Sequence, residues 1–291
     1  MITLHKKAYA KINLYLKILD KLPDGYHSLF TIMQRISLCD NITISVSCGT
    51  TRDITIICSD ENIANTSNTA YKAADLFLQY VNLQYNISVN INIEKHIPSQ
   101  AGLGGGSSDA AAVLLALNEH FDNILSEDML MLIAVQIGAD VPFFVKNISC
   151  AVCEGIGEII TPFTFTPFMC KPCKILIIKP AFNISTKQAF DDFDNFDDFD
   201  KKLSKSKNYF NKTELLMNFN VKNIYNDFSK LAFSQNKILE KIRETMLNYG
   251  AAAAELSGSG SALFGIFDNA NVLSNFEDIK NFEICGVYDF V

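Results

Sequence analysis

The segment Ile97–Asn118, IPSQAGLGGGSSDAAAVLLALN, packs Gly102, Gly104, Gly105 and Gly106 into five positions. Glycine accepts positive φ and lets a ligand approach the main chain closely. A run of glycines turns successive N–H groups onto one concavity. The small and apolar run behind it predicts a helix, whose first turn adds unpaired N–H groups and the positive end of its dipole. The chemistry of such a cradle is anion binding, with phosphate the usual anion. A flexible linker would not lead straight into Ala110–Leu117, which has an apolar face to bury. Neither common phosphate loop matches. A Walker A loop ends in Gly-Lys-Ser/Thr, and no lysine lies between Ala101 and Glu119. The dinucleotide fingerprint wants a third glycine where Ser107 stands, and an acid about 20 residues further on. Phosphate is therefore expected on main-chain amides. The hydroxyls of Ser107 and Ser108 would join it or cap the helix, and both uses can hold together.

A cradle without its own lysine needs positive charge from elsewhere, and a phosphoryl acceptor needs a group that takes or orients its proton. Lys11 and Asn13 share one face of a strand predicted over Ala10–Leu19, whose other face, Ile12, Leu14, Leu16 and Ile18, reads as core. Asp140 lies in Gly138-Ala139-Asp140-Val141-Pro142, where Gly138 suits a helix C-cap and Pro142 forbids continuation. That fixes Asp140 on a stiff turn between elements. Singly, Lys11 and Asp140 are ordinary structural residues, and the case for chemistry is joint. Ser257-Gly258-Ser259-Gly260-Ser261 is a second hydroxyl-rich turn between two apolar runs. A tight hairpin explains it, and so does a second wall for the phosphate.

These residues need elements to hold them. Strands are predicted at Thr31–Leu38, Ile42–Ser47, Ile54–Cys58 and Tyr85–Glu94. Helices are predicted at Asn68–Val81, Ser107–Phe121 and Glu127–Gln136, followed by a strand near Ser149–Glu154 and a turn at Gly155–Glu158. Prolines gather in 160–174, which places a domain boundary there and divides the chain into 1–160 and 161–291. The second half reads as strand Lys174–Lys179, a helix from Ser185, helices within Asn226–Tyr249, and strands Ala251–Leu256 and Ala262–Phe267. A helix near Asn271–Lys280 and a strand Cys285–Phe290 complete it. Strands interleaved with helix pairs suggest an α+β sandwich. Asp191–Asp200, DDFDNFDDFD, is acidic and low in complexity and reads as a solvated surface helix or loop.

With 291 residues, 48% of them hydrophobic, the chain can bury a substantial core. A net charge of -7 argues against a general nucleic-acid binder. No basic amphipathic helix, signal peptide or spanning segment stands out, so no membrane partner is expected and a cytoplasmic location is. Eight cysteines then read as reduced thiols. Cys150-x-x-Cys153 and Cys170-x-x-Cys173 match a zinc-ribbon spacing on paper. Ser149–Glu154 reads as a strand, though, where positions three apart face opposite ways, so no metal site is assigned.

On three segments the chain resembles the GHMP small-molecule kinases: AKINLYLKIL at Ala10–Leu19, PSQAGLGGGSSDAA at Pro98–Ala111 and ELSGSGSALF at Glu255–Phe264. Further marks are Pro23-Asp24-Gly25-Tyr26-His27, Gly138–Phe144 and Gly155–Glu158. The likeness is weakest over Asp191–Asn223, and Ser99-Gln100-Ala101 departs from a more glycine-rich family stretch. The resemblance implies a two-domain α+β GHMP kinase fold, with a left-handed βαβ unit in the N-terminal domain, a ferredoxin-like C-terminal domain and the site in the cleft between them. It implies transfer of the ATP γ-phosphoryl group, with Mg²⁺, to the 2-hydroxyl of a small-molecule cytidine diphosphate methylerythritol acceptor, by a monomer or homodimer. The alternatives are a homoserine- or mevalonate-type kinase, or, in another class, a nucleotide-sensing or zinc-binding module without chemistry. By position, the resemblance makes Lys11 and Asp140 catalytic. Asp140 would take or orient the hydroxyl proton, and Lys11 would pair with it and steady the acceptor oxygen. Asn13 would bond the erythritol end, Tyr26 and Phe190 would sandwich cytosine, His27 would read the base edge, and Thr186 would touch substrate. Pro98, Ser99, Gln100, Ala101, Gly102, Leu103, Gly104, Gly105, Gly106, Ser107 and Ser108 would wrap the ATP phosphates. Lys95 and Asn68 would lie near the adenosine, and Asp109 would face the nucleoside or cap the helix.

Overall fold

The computed structural model describes every residue except 50, 82, 84, 166–172, 197–209 and 269–282. The chain forms two compact units. One contains Met1–Ala10, Leu38–Ile97 and Gly104–Ile148, the other Lys11–Ser37, Pro98–Leu103 and Ser149–Val291. Two long strands, β1 (Ile2–Lys21) and β2 (His27–Cys48), contribute to both. The two strands expected at Thr31–Leu38 and Ile42–Ser47 are thus one. The inward register runs unbroken through Ile36, Leu38, Asp40, Ile42 and Ile44, all buried, and a polar residue on that face does not end a strand when its hydrogen bonds are met.

In the first unit, β3 (Asp53–Cys58), helix α1 (Thr69–Val81) and β4 (Ile87–Glu94) form a βαβ unit, with β3 and β4 parallel and adjacent. β4 runs antiparallel to β2, from Asn41 opposite Glu94 to Cys48 opposite Ile87. Its strict alternation buries Ile87, Val89, Ile91 and Ile93. Helix α2 (Gly105–His120) packs against α1. Alanines at 70, 73 and 74 on α1 and at 110, 111, 112 and 116 on α2 are buried, and small side chains allow close approach. Helix α3 (Glu127–Ile137) starts at Ser126, whose hydroxyl accepts from Met129 N–H, with Glu127 and Asp128 in its first turn. A short helix, α4 (Val141–Val145), follows with Pro142 in its first turn, so the proline that ends one helix opens the next.

The second unit carries β5 (Cys150–Gly155) antiparallel to β2, and β6 (Ile159–Pro162) antiparallel to β5. Then come β7 (Lys174–Lys179), α5 (Thr186–Asp194), α6 (Lys212–Met217), β8 (Tyr225–Asn226, parallel to β1), α7 (Ser229–Gln235), α8 (Lys237–Asn248), β9 (Ala253–Leu256), β10 (Leu263–Phe267) and β11 (Glu283–Tyr288). The sheet order is β11-β7-β10-β9 with every neighbour antiparallel. Counted from β7, that is the fourth-first-third-second order of a ferredoxin-like sheet. Leu239, Ile242 and Met246 of α8 pack with Leu176, Ile178, Leu256, Leu263 and Phe267 in its core. The helix expected at Asn271–Lys280 lies outside the described residues. So does the end of the acidic run, and its described part is not simply solvated: Phe193 is in the core.

Candidate active site

The glycine loop is held by main-chain contacts at each step. Lys11 N–H donates to Leu103 O (2.9 Å), and Ala262 N–H donates to Ala101 O (3.1 Å). Ser257 Oγ donates to Gly102 O (2.9 Å). Gly102 has φ +74°, and a Cβ there would stand 1.9 Å from Ser257 O. Only glycine permits that approach. The Ser257–Ser261 turn joins β9 to β10, with Leu256 opposite Leu263, and it also abuts the loop. Both readings of that turn therefore hold. Asn226 Nδ2 pins it by donating to Leu256 O (2.8 Å) and Gly258 O (2.7 Å).

Lys11 and Asn13 are buried, at 3% and 1% exposure. They do not stand on a solvent face, because both faces of β1 are covered here. Lys11 Nζ donates to Asn13 Oδ1 (2.6 Å), Asn13 Nδ2 donates to Thr31 Oγ1 (2.8 Å), and Thr31 donates to Tyr15 O (2.7 Å). This chain fixes the Asn13 amide with its oxygen toward the ammonium. A Cβ on Gly258 would stand 3.4 Å from Asn13 Oδ1, so the hydroxyl-rich turn reaches this residue too.

In the same unit, one face of α5 carries Thr186, Phe190 and Asp194 at four-residue spacing. Thr186 Oγ1 and Ser259 Oγ share a hydrogen bond (3.0 Å). Phe190 stacks on His27 with centroids 4.8 Å apart, and Asp194 Oδ1 lies 2.7 Å from His27 Nε2. Lys21 Nζ donates to the other oxygen of Asp194 (2.5 Å). Burial pushes the Asp194 carboxyl up, but the hydrogen bonds and charges of Lys21 and His27 outweigh it and hold it below its ordinary value. Tyr26, the other aromatic residue expected at the base, is 59% exposed.

The first unit holds the helix that receives the loop. Gly104, with φ +72°, is the N-cap of α2, and no side chain caps the helix. Neither Ser107, Ser108 nor Asp109 serves as the cap. The left-handed turn at Gly104 starts the helix at Gly105, which carries all three into the helix. The first-turn N–H groups have no partner from a cap. Lys95 Nζ donates to Asp40 Oδ2 (2.5 Å) and Asp109 Oδ2 (2.7 Å). Asp40 Oδ1 also accepts from His96 N–H (2.5 Å) and Ile97 N–H (2.8 Å). A Cβ on Gly105 would stand 3.3 Å from Lys95 Nζ. The ammonium thus sits at a helix N-terminus, against the dipole, and the two carboxylates hold it there. Burial pushes the Asp109 carboxyl up to about 7; Lys95 opposes this and Asp40 adds to it. Among the described residues the buried Asp109 Oδ1 has no hydrogen-bond partner.

Asn68 is buried just ahead of α1, accepting from Ala70 N–H (2.9 Å) and donating to Ile63 O (2.8 Å). Thr69 donates to Gly106 O (2.6 Å) and ties α1 to the start of α2. Asp140 occupies the N-cap position of α4. A Cβ on nearby Gly138 would meet Ser107 Oγ at 3.9 Å, so the Asp140 turn runs beside the first turn of α2. Sequence reading missed Asp40, Thr69 and Asp194. For Asp40 a signal existed: it falls on the inward beat of an otherwise apolar alternation.

Cys150 and Cys153 are buried in β5. Burial pushes the Cys150 thiol up to about 12, so it is a protonated, apolar side chain. Cys170 lies outside the described residues. Among the described residues no three His, Cys, Asp or Glu side chains stand together as a metal site, and no helix is long and apolar enough to cross a membrane.

Known proteins share this chain's sequence motifs and fold. The model of the GHMP kinases N terminal domain matches residues 68–147, and that of the GHMP kinases C terminal region matches 210–279. A 4-diphosphocytidyl-2-C-methyl-D-erythritol kinase of Caldicellulosiruptor bescii is 40% identical over 95% of this chain and 94% of its own length. The crystal structure of a 4-(cytidine 5'-diphospho)-2C-methyl-D-erythritol kinase superposes with a TM-score of 0.75 at 27% identity, covering 98% of this chain and 99% of that one. The homoserine kinase of Cytophaga hutchinsonii superposes at 0.68 with 15% identity, covering 99% of this chain and 94% of that one, and shares the fold alone.

Proposed function

Because the chain belongs to the GHMP kinase family, among its 4-diphosphocytidyl-2-C-methyl-D-erythritol kinases, we propose that it transfers the γ-phosphoryl group of ATP to the 2-hydroxyl of 4-diphosphocytidyl-2-C-methyl-D-erythritol, a step in non-mevalonate isoprenoid precursor synthesis. The observation that carries this reading is the glycine loop that delivers the chain into α2 with no side-chain cap, which leaves first-turn amides for a phosphate chain. Pro98–Ser108 wrap the phosphates. Lys95 and Asn68 lie near the adenosine, and Asp109 completes that wall through Lys95. Asp140 takes or orients the proton of the attacking hydroxyl, and Lys11 steadies the acceptor oxygen. Asn13, held rigid by Lys11 and Thr31, bonds the erythritol. Tyr26, His27 and Phe190 receive the cytosine, and Thr186 touches the acceptor.

Phosphoryl transfer of this kind uses Mg²⁺ to neutralise charge on the phosphates. Such an ion would be carried by the nucleotide's own oxygens and water with few protein ligands. The family models fall on either side of residue 160, which supports 1–160 and 161–291 as the functional division. We place the enzyme in the cytoplasm, acting on a small molecule as a monomer or homodimer. A coupled ADP-release assay with the cytidylyl acceptor tests the activity. Asp140→Asn should keep ATP binding nearly intact and slow turnover by about 10²–10⁴. Near-normal turnover would remove Asp140 from the mechanism. Stabilisation by homoserine and not by cytidine 5′-diphosphate would overturn the acceptor assignment.

A further inference from the structure

We propose that Asp194 is a positioning residue that fixes the tautomer of His27, so that the ring presents Nδ1 as an acceptor and selects a pyrimidine bearing an exocyclic amino group over one bearing a carbonyl. The inference rests on the reading of Tyr26, His27 and Phe190 as the base site. Its own ground is the geometry of α5.

Phe190 and Asp194 are one helical turn apart and address the same imidazole, the ring covering its face and the carboxylate its edge. An ionised carboxylate only accepts, so the nitrogen 2.7 Å from Asp194 Oδ1, Nε2, must carry the hydrogen. In the neutral ring the other nitrogen is then an acceptor. Nδ1 has no hydrogen-bond partner among the described residues. Lys21 donates to the second oxygen of Asp194 and keeps the carboxylate ionised and oriented. The Phe190 stack, with its planes 17° apart, restrains the ring from turning over. Cytosine differs from uracil in offering an N4 amino donor where uracil has an O4 acceptor. An Nδ1 lone pair attracts the first and repels the second.

The test compares binding of cytidine 5′-diphosphate and uridine 5′-diphosphate to the full chain and to Asp194→Asn. Lys21 is a donor only, so the asparagine would turn its oxygen to Lys21 and its NH₂ to His27. That makes Nε2 the acceptor and puts the hydrogen on Nδ1. The wild type should prefer the cytidine ligand, and the variant should lose roughly 10- to 100-fold of that preference, the cost of setting a buried donor against a donor. A merely structural role for Asp194 would weaken both ligands alike. An unchanged preference in a folded variant overturns the inference and leaves the base site standing. Equal binding of the two ligands by the wild type removes the base-site reading and the inference with it. Should Asp194→Asn fail to fold, the ¹⁵N spectrum of the wild-type His27 ring decides: a bare Nδ1 supports the assignment, and a protonated Nδ1 with a bare Nε2 refutes it.

Discussion

Replacing Gly102 by alanine probes the join between the glycine loop and the Ser257–Ser261 turn. Two costs are separable. The first is conformational: φ is +74°, and an L-residue in that region costs about 1–2 kcal/mol. The second is steric. The new methyl would lie 1.9 Å from Ser257 O and 3.2 Å from Gly260 N, both main-chain atoms. Neither can swing aside as a side-chain tip would, so the loop and turn must part. Overpacking of this kind costs about 1–3 kcal/mol, and parting also endangers the Ser257 Oγ to Gly102 O hydrogen bond, worth about 1 kcal/mol. Gly25 and Gly250 are internal controls, with φ of +89° and +92° and nothing within 4 Å of an added Cβ. Their alanine variants should show the first cost alone. The difference, about 2–4 kcal/mol, corresponds to a melting temperature roughly 5–15 °C lower for Gly102→Ala than for either control in a chain of this size. Thermal and urea unfolding measure it, and the ATP KM of each folded variant reports whether the loop has lost its shape. A Gly102→Ala protein as stable as the Gly25→Ala protein would mean that the loop and turn do not approach this closely.

Further outcomes follow from the buried charges and thiols. Lys95→Met would leave Asp40 and Asp109, both essentially unexposed, without their shared cation, and should cost about 3–5 kcal/mol in urea unfolding; a loss below 1 kcal/mol would show that the ammonium is not their partner. Asp109 has a folded value near 7 against 3.8 for the free side chain. Its folded form prefers the proton, so its favourable contribution is whole below the unfolded value and is lost as pH rises through about 7. Stability should therefore decline between about pH 4 and 7, and Asp109→Asn, neutral at every pH, should flatten that decline; parallel curves would refute the assignment. Alkylation of the folded enzyme at mild alkaline pH should modify exposed Cys48 well before Cys150, whose thiol is pushed up to about 12, with peptide mapping as the readout.

Much of this protein is legible along the chain because the physics is local. Alternation fixed β4, and the run Lys174–Lys179 is a strand from its first residue to its last. The glycine cluster followed by small residues required a loop entering a helix, and Gly138 with Pro142 required the turn that carries Asp140. The GHMP motifs pointed to the chemistry before any coordinate did. Other features could not be read that way. Asp40 looks like a break between two strands until Lys95, 55 residues on, and two main-chain amides take its oxygens. Asp194 reads as one acid in an acidic run until His27, 167 residues earlier, is found against it.

Periodicity and turn chemistry reach only across one or two turns of chain, so they determine where elements begin and which face is apolar. They determined the α+β plan and the glycine loop that enters a helix, and they singled out the residues proposed as catalytic. Whether a polar residue is exposed or buried depends on which distant groups satisfy it, because an unpaired buried charge costs more than folding can offset. Pairings of that kind are made only when strands and helices far apart in sequence pack together. Tertiary structure alone therefore decided that Lys11 and Asn13 are buried, that the hydroxyl-rich turn grips the loop, and that a carboxylate stands behind the histidine.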